Sequence, residues 1–236
     1  MGMTSALLIL HEKCNKPAEE DDWVRWHLDT HNADLARAFD ATHVTFWQLA
    51  QKPQPGMPGL GFSHVTIVEL DTGTEPAPAT VLASLRAEGR VHPSHTVIDA
   101  QHFVAHGKYA EKAPPTERLR GHILAHVLPN DPAQEAAWDE WYDREHVPDM
   151  MASDAFSSVT RWRREPRAPV GPNHITLYDV ELDSIELAVE RSAAVMPGIV
   201  AAGRKHPSHT GALTLTLVRP PVPPSPAPST ERSGHG

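Results

Sequence analysis

The ten residues Ala87–Thr96 return as Ala201–Thr210 with eight identities at a spacing of 114. At a spacing of 115, His11, Pro17, Trp23, Trp26, His31 and Asp34 fall on His126, Pro132, Trp138, Trp141, His146 and Asp149. The same shift lays Val44, Thr45 and Trp47 on Val159, Thr160 and Trp162, and a spacing of 110 lays His64-Val65-Thr66 on His174-Ile175-Thr176. Rare residue types in one register make coincidence untenable, so the chain reads as a tandem duplication. Whatever it folds into is therefore built from two copies of one supersecondary unit.

Each half shows the same order of patterns. A short apolar run (Leu7–His11; Ile123–Leu128) reads as a strand, and a helix follows over Glu19–Phe39 and Ala133–Ser153, entered through Pro17 and Pro132. Two further strands, a second helix stopped at Gly89 or Gly203, and a closing strand complete β-α-β-β-α-β. That is the ferredoxin-like order, of α+β class. The expected units are residues 1–112 and 120–219, with a linker at 113–119 and a disordered Pro-rich tail at 220–236. One ferredoxin-like sheet leaves a face to bury, so two fused repeats are expected to form an αβ-barrel within a monomer, or a homodimer of such barrels.

Composition excludes several functions. Lys+Arg number 21 against 30 Asp+Glu, a net charge of −9, with no dense basic block, which argues against nucleic acid or an anionic membrane as partner. No apolar run reaches the roughly 20 residues that span a bilayer, and no signal-peptide pattern precedes the first strand. A single cysteine, Cys14, rules out an internal disulfide, and the expected location is the cytoplasm. No glycine-rich nucleotide loop and no G-x-S-x-G elbow occurs. The abnormal residue count is that of histidine, with 16 copies.

The segment Trp138-Asp139-Glu140-Trp141-Tyr142-Asp143-Arg144-Glu145-His146-Val147-Pro148 resembles the W-x-x-W-Y-x-x-E-H-x-P segment of EthD-like dimeric αβ-barrel proteins. The first half keeps it more loosely in Trp23, Trp26, His27, His31 and Asp34, without the proline. The resemblance implies a barrel with a small-molecule pocket. The broad superfamily includes cofactor-free monooxygenases, isomerases, cyclases, dehydratases, decarboxylases and some haem-binding proteins.

On a helical wheel Trp23, His27, His31, Asp34 and Leu35 share one stripe of about 120°, as do Trp138, Tyr142, His146, Asp149 and Met150. A stripe mixing Trp, His and Asp suits a pocket wall better than a plain core. His31 and His146 are the expected acid/base pair, oriented by Asp34 and Asp149, with Tyr142 as an added donor. Trp23, Trp26, His27, Trp138 and Trp141 would shape the pocket. His11 and His126 on first strands, and His64 and His174 on third strands, are expected to approach the same cavity. Arg90 and Arg204 are candidates for a substrate carboxylate or enolate. His-x-x-His in the repeated segment (His92 with His95, His206 with His209) is the candidate metal set, suited to Zn, Fe or Cu. The favoured expectation is an enzyme of lyase or isomerase type moving protons on an aromatic or polyketide-like substrate, without cofactor. The alternatives are a metal- or haem-binding barrel on the repeated histidines, and a non-catalytic ligand-binding barrel.

Overall fold

The computed structural model describes residues 4–50, 60–71, 77–112, 116–169, 171–209 and 212–222. Eight strands run β1 (Ala6–Cys14), β2 (His43–Leu49), β3 (His64–Leu70), β4 (His95–Ala105), β5 (Gly121–Val127), β6 (Ser158–Arg164), β7 (His174–Val180) and β8 (Ala212–Val218). They close an antiparallel barrel in the order β1-β3-β2-β8-β5-β7-β6-β4. Each half contributes four strands with its first and third at the centre, β4-β1-β3-β2 and β8-β5-β7-β6. The seams between halves are short. Gln48 and Leu49 pair with Val218 and Leu217, and Phe103 to Ala105 pair with Arg164 to Trp162. Closure removes the exposed edges that each four-stranded sheet would otherwise carry.

Side chains alternate across each strand. Leu7, Ile9, Val65, Ile67, Leu124, Ile175, Leu177, Leu215 and Leu217 point inward and pack with Trp47, Phe103 and Trp162, so the lumen is a solid core. Leu119, within the expected linker, is 2% exposed and belongs to that core. Residues 113–115, and the Pro-rich tail from residue 223, lie outside the described residues.

The outer faces carry the helices. In the first half these are α1 (Glu20–Trp26), a π-helical turn (His27–His31), α2 (Asn32–Phe39) and α3 (Pro78–Ala87). The second half has α4 (Glu135–Trp141), a π-helical turn (Tyr142–His146), α5 (Val147–Met151) and α6 (Ile185–Ala201). The single helix expected over Glu19–Phe39 is thus one rod widened in its middle, and its counterpart is widened at the same place. A π turn puts residues four apart nearly in line, which brings His27 against His31 (ring centroids 4.8 Å) and Tyr142 against His146 (4.5 Å). Such turns recur at functional sites. Outer strand residues Ala6, Leu8, Leu10, Val68 and Leu70 pack on Leu35, Phe39, Val81 and Leu85, and Ile123, Ala125, Val127, Tyr178 and Val180 do the same under Trp138, Val147 and Ala188. Among the described residues no helix is long and apolar enough to cross a membrane.

Candidate functional site

The repeated decapeptide forms the same latch in both halves. Gly89 and Gly203 turn the chain at φ +71° and +67°, a conformation glycine adopts without strain. The Arg90 guanidinium is ion-paired with Asp34, and Arg204 Nη1 lies 2.9 Å from Asp149 Oδ1. The carbonyl of Arg90 accepts the Trp26 indole N–H (3.3 Å), and that of Arg204 the Trp141 N–H (2.6 Å). Nδ1 of His92 and of His206 accepts the backbone N–H two residues on. Nδ1 of His95 accepts Trp23 Nε1–H at 3.2 Å, and that of His209 accepts Trp138 Nε1–H at 3.4 Å. This assignment corrects two expectations. Asp34 and Asp149 hold the arginines rather than the histidines, and Arg90 and Arg204 are engaged by those carboxylates rather than presented to a substrate. The Arg90 guanidinium, with Arg37 beside it, holds the Asp34 carboxyl below its usual range.

Beneath the first latch lies a closed polar cluster. Glu12 and His27 are fully buried, with Glu12 Oε2 3.1 Å from His27 Nε2 and accepting the Thr66 hydroxyl at 2.5 Å. His27 Nδ1 faces Asn32 Oδ1 at 3.0 Å, and the ring stacks on Phe46 with centroids 3.8 Å apart. His31, also fully buried, stacks on Trp26 and has no hydrogen-bond partner at either ring nitrogen among the described residues. His64 closes the cluster from β3, edge-on to Trp23. Burial pushes His27 and His95 to about 3 and His31 and His64 to about 4, and raises Glu12. The β1–β4 register shifts between His11 and Glu12, a bulge of the kind that re-aims a side chain beside a site.

The second half opens instead. A cavity of about 390 Å³ lies between the Tyr142–His146 turn, α5 and α6 on one side and β5, β7 and β8 on the other, lined by Tyr142, His146, Met150, Phe156, Tyr178, Met196 and His209 among others. Trp138 and Trp141 stand behind this lining and not in it. Burial, with the neighbouring His209, drives His146 to about 3, and burial takes His209 to about 4. These imidazoles are neutral at physiological pH, far from the near-neutral tuning expected of a general base. Burial raises the Tyr142 and Tyr178 phenols, so both keep their protons. Arg161, 1% exposed, lies over the Tyr142 ring at 4.5 Å and pairs at 2.5 Å with both Asp139 and Asp143.

The strand histidines divide. His11 and His126 point into one end of the lumen, ring centroids 6.1 Å apart, with Phe62 stacked on His11. His64 and His174 face outward under Trp23 and Trp138. The four therefore do not share a cavity. His174 joins His106 and Asp139 in a surface recess, with Nε2 2.7 Å from Glu135 Oε1 and His106 Nε2 2.7 Å from Asp139 Oδ2. Sequence reasoning missed Glu12, Asn32, Thr66, His106, Asp139 and Arg161. Glu12 carried a signal, being a charge in the apolar run Ala6–Leu10 extended, at a place where the other copy has Val127.

No protein-family model and no curated protein sequence matches the chain. Solved structures do. A mutant chlorite dismutase from Candidatus Nitrospira defluvii superposes with a TM-score of 0.58 at 10% identity, covering 94% of each chain. Another mutant of that protein, in complex with cyanide, gives 0.53 at 12% identity over 94% of this chain and 93% of the other. The fold is the αβ-barrel of the chlorite dismutases. An anthrone oxidase-like protein shares it, at a TM-score of 0.51, 10% identity and 91% of each chain. These neighbours overturn the expectation of a barrel without cofactor, because chlorite dismutases bind haem.

The second-half site suits such a group. His146 offers a neutral imidazole, no described residue hydrogen-bonds its ring, and it borders a largely apolar cavity within the 300–1,000 Å³ of cofactor sites. The first-half cluster, closed around His31, leaves no room for a macrocycle.

Proposed function

We propose that this chain is a haem-binding αβ-barrel whose second half holds the group against His146 and serves a small, neutral, apolar molecule. The observation that carries the reading is the neutral, unbonded His146 at the wall of the cavity. The fold neighbours support it, and the Trp138–Pro148 segment supports EthD-like kinship within that fold. Haem held there supplies redox and oxygen chemistry. The chain's own residues orient and exclude. Trp141, fixed by its bond to the Arg204 carbonyl, packs on His146 with centroids 5.2 Å apart and sets the plane of the ring. Tyr142 and Tyr178 bring protonated hydroxyls to the cavity wall as donors, with the Tyr142 oxygen accepting from Thr176 at 3.2 Å. Among the described residues that line the cavity there is no Lys or Arg, and Arg161 is committed to two carboxylates, which favours a neutral ligand over an anion such as chlorite. The two halves, 1–112 and 120–219, are read as one duplicated unit, supported by the identical latches, and a single chain completes the barrel.

Titration with hemin tests this by absorption spectroscopy. The expected result is about one haem per chain, abolished in His146→Ala and retained in His31→Ala. Binding that persists unchanged in His146→Ala, or no saturable binding at all, overturns it.

A further inference from the structure

The first-half cluster is a second site of different chemistry. Its most informative member is Glu12. Among the described residues, the buried carboxylates of Asp34 and Glu69 each face a permanent cation, Arg90 and Lys112 (3.0 Å), and Asp179, which has His122 at 2.8 Å, keeps its side chain 12% exposed. Among the described residues Glu12, fully buried, meets the Thr66 hydroxyl and imidazoles but no Lys or Arg. A buried carboxylate without a compensating positive charge is costly. The imidazoles around it are arranged as donors. Glu12 Oε1, His95 Nε2 and both nitrogens of His31 are buried with no hydrogen-bond partner among the described residues. Ligand atoms of Glu12, His31 and His95 all lie within 4.8 Å of one another, and the Glu12–His95 pair stands at 3.6 Å. His27 is oriented from behind by Asn32, which leaves its Nε2 toward Glu12, the way an outer partner fixes a metal-ligating imidazole.

We propose that Glu12, His31 and His95 bind one divalent transition-metal ion, with His27 beside them as a further donor. Two imidazoles and a carboxylate select Zn²⁺ or Fe²⁺ over Mg²⁺ or Ca²⁺. Ligands about 2.1 Å from a tetrahedral ion stand roughly 3.4 Å apart, so the set closes only slightly around it. The ion supplies the charge that Glu12 lacks. Ligation through His95 Nε2 puts that ring's proton on Nδ1, so the Trp23 N–H contact at 3.2 Å is given up on binding. Trp23 therefore reports on the site. The second half does not share it: Val127 replaces Glu12 and Tyr142 replaces His27. The site does not depend on haem at His146, and the two are read by different signals.

The test uses the full chain, stripped by chelator and free of haem, titrated with ZnCl₂ by calorimetry and with CoCl₂ by tryptophan fluorescence. One equivalent of Zn²⁺ is expected, with quenching by Co²⁺ and a Tm that rises with free Zn²⁺. Glu12→Gln, nearly isosteric, should weaken Zn²⁺ at least 100-fold while melting at or above the wild-type Tm in the absence of metal, which shows that it folds. His31→Ala should weaken binding likewise, and His106→Gln should leave it intact. Binding unchanged in Glu12→Gln, binding lost only in His106→Gln, or no Zn²⁺ response in the wild type overturns the proposal. The last outcome leaves Glu12 as a protonated partner of His27.

Discussion

The two halves share a latch and differ in what the latch covers. Trp23, Trp26, His31, Asp34, Gly89, Arg90, His92 and His95 all recur as Trp138, Trp141, His146, Asp149, Gly203, Arg204, His206 and His209, with matching partners, Arg90 gripping Asp34 through two nitrogens and Arg204 reaching Asp149 through one. Beneath it, three positions separate the interiors: Glu12 against Val127, His27 against Tyr142, and Phe46 against Arg161. The first set gathers a carboxylate and imidazoles into a sealed cluster. The second removes the carboxylate, and Arg161 draws Asp139 and Asp143 to itself. The second helix is also longer there, 17 residues in α6 against 10 in α3, and forms the outer wall of a cavity. A conserved frame thus carries either a closed polar site or an open apolar one, and few side chains decide which.

The sharpest way to break this comparison is to exchange the first pair. Val127→Glu puts a carboxylate at a position 1% exposed with no basic partner, and should cost about 3–5 kcal/mol in urea unfolding. Glu12→Val in metal-free protein should cost far less or stabilise. Equal losses from both would show that the two positions are not opposite in character.

Acid comes next in size. His31 at about 4 and His146 at about 3 are depressed below 6.5, so the unfolded chain takes up their protons first as pH falls. Their contribution is fully present above pH 6.5 and is lost between there and pH 3–4, about 3 kcal/mol for His31 alone. Unfolding free energy measured across that window should fall steeply, and His31→Gln should flatten the curve. A flat wild-type profile from pH 7 to 4 contradicts the buried, neutral imidazoles.

The latch sets smaller differences. Trp23→Phe leaves His95 Nδ1 without its donor and should cost about 1–2 kcal/mol in metal-free protein. Trp138→Phe, with the longer 3.4 Å contact, should cost less. Gly89→Ala and Gly203→Ala, both at positive φ with open space around the glycine, should each cost about 1 kcal/mol and match one another. Unequal glycine costs would mean that the two latches are less alike than their bonds.

Much of this was legible in order and little in direction. The repeat placed Trp23, His31 and the His92–His95 segment on corresponding elements, and the pattern of apolar runs gave β-α-β-β-α-β in each half. The π turns were not legible, because helical periodicity over Glu19–Phe39 fits a regular helix equally well. His11 and His64 looked like neighbours on central strands, but a shift of one residue sends one into the lumen and the other under the helices. Asp34 sits three residues from His31 on the wheel, yet Arg90, 56 residues away, takes it. A mobile cation brought close by the fold outcompetes a weakly basic, buried imidazole.

By itself the sequence determined that one pattern of residues recurs in both halves, that the fold is α+β, and that aromatic and imidazole side chains gather on the first helix of each half. These follow from local period and from rare residues in register. Only the tertiary structure decided that the sheets close into one barrel, that the repeated histidines brace tryptophans, and that Glu12 and His31 meet where His146 meets open space. Those outcomes depend on which long-range partners fill each buried polar group, and no local spacing encodes them.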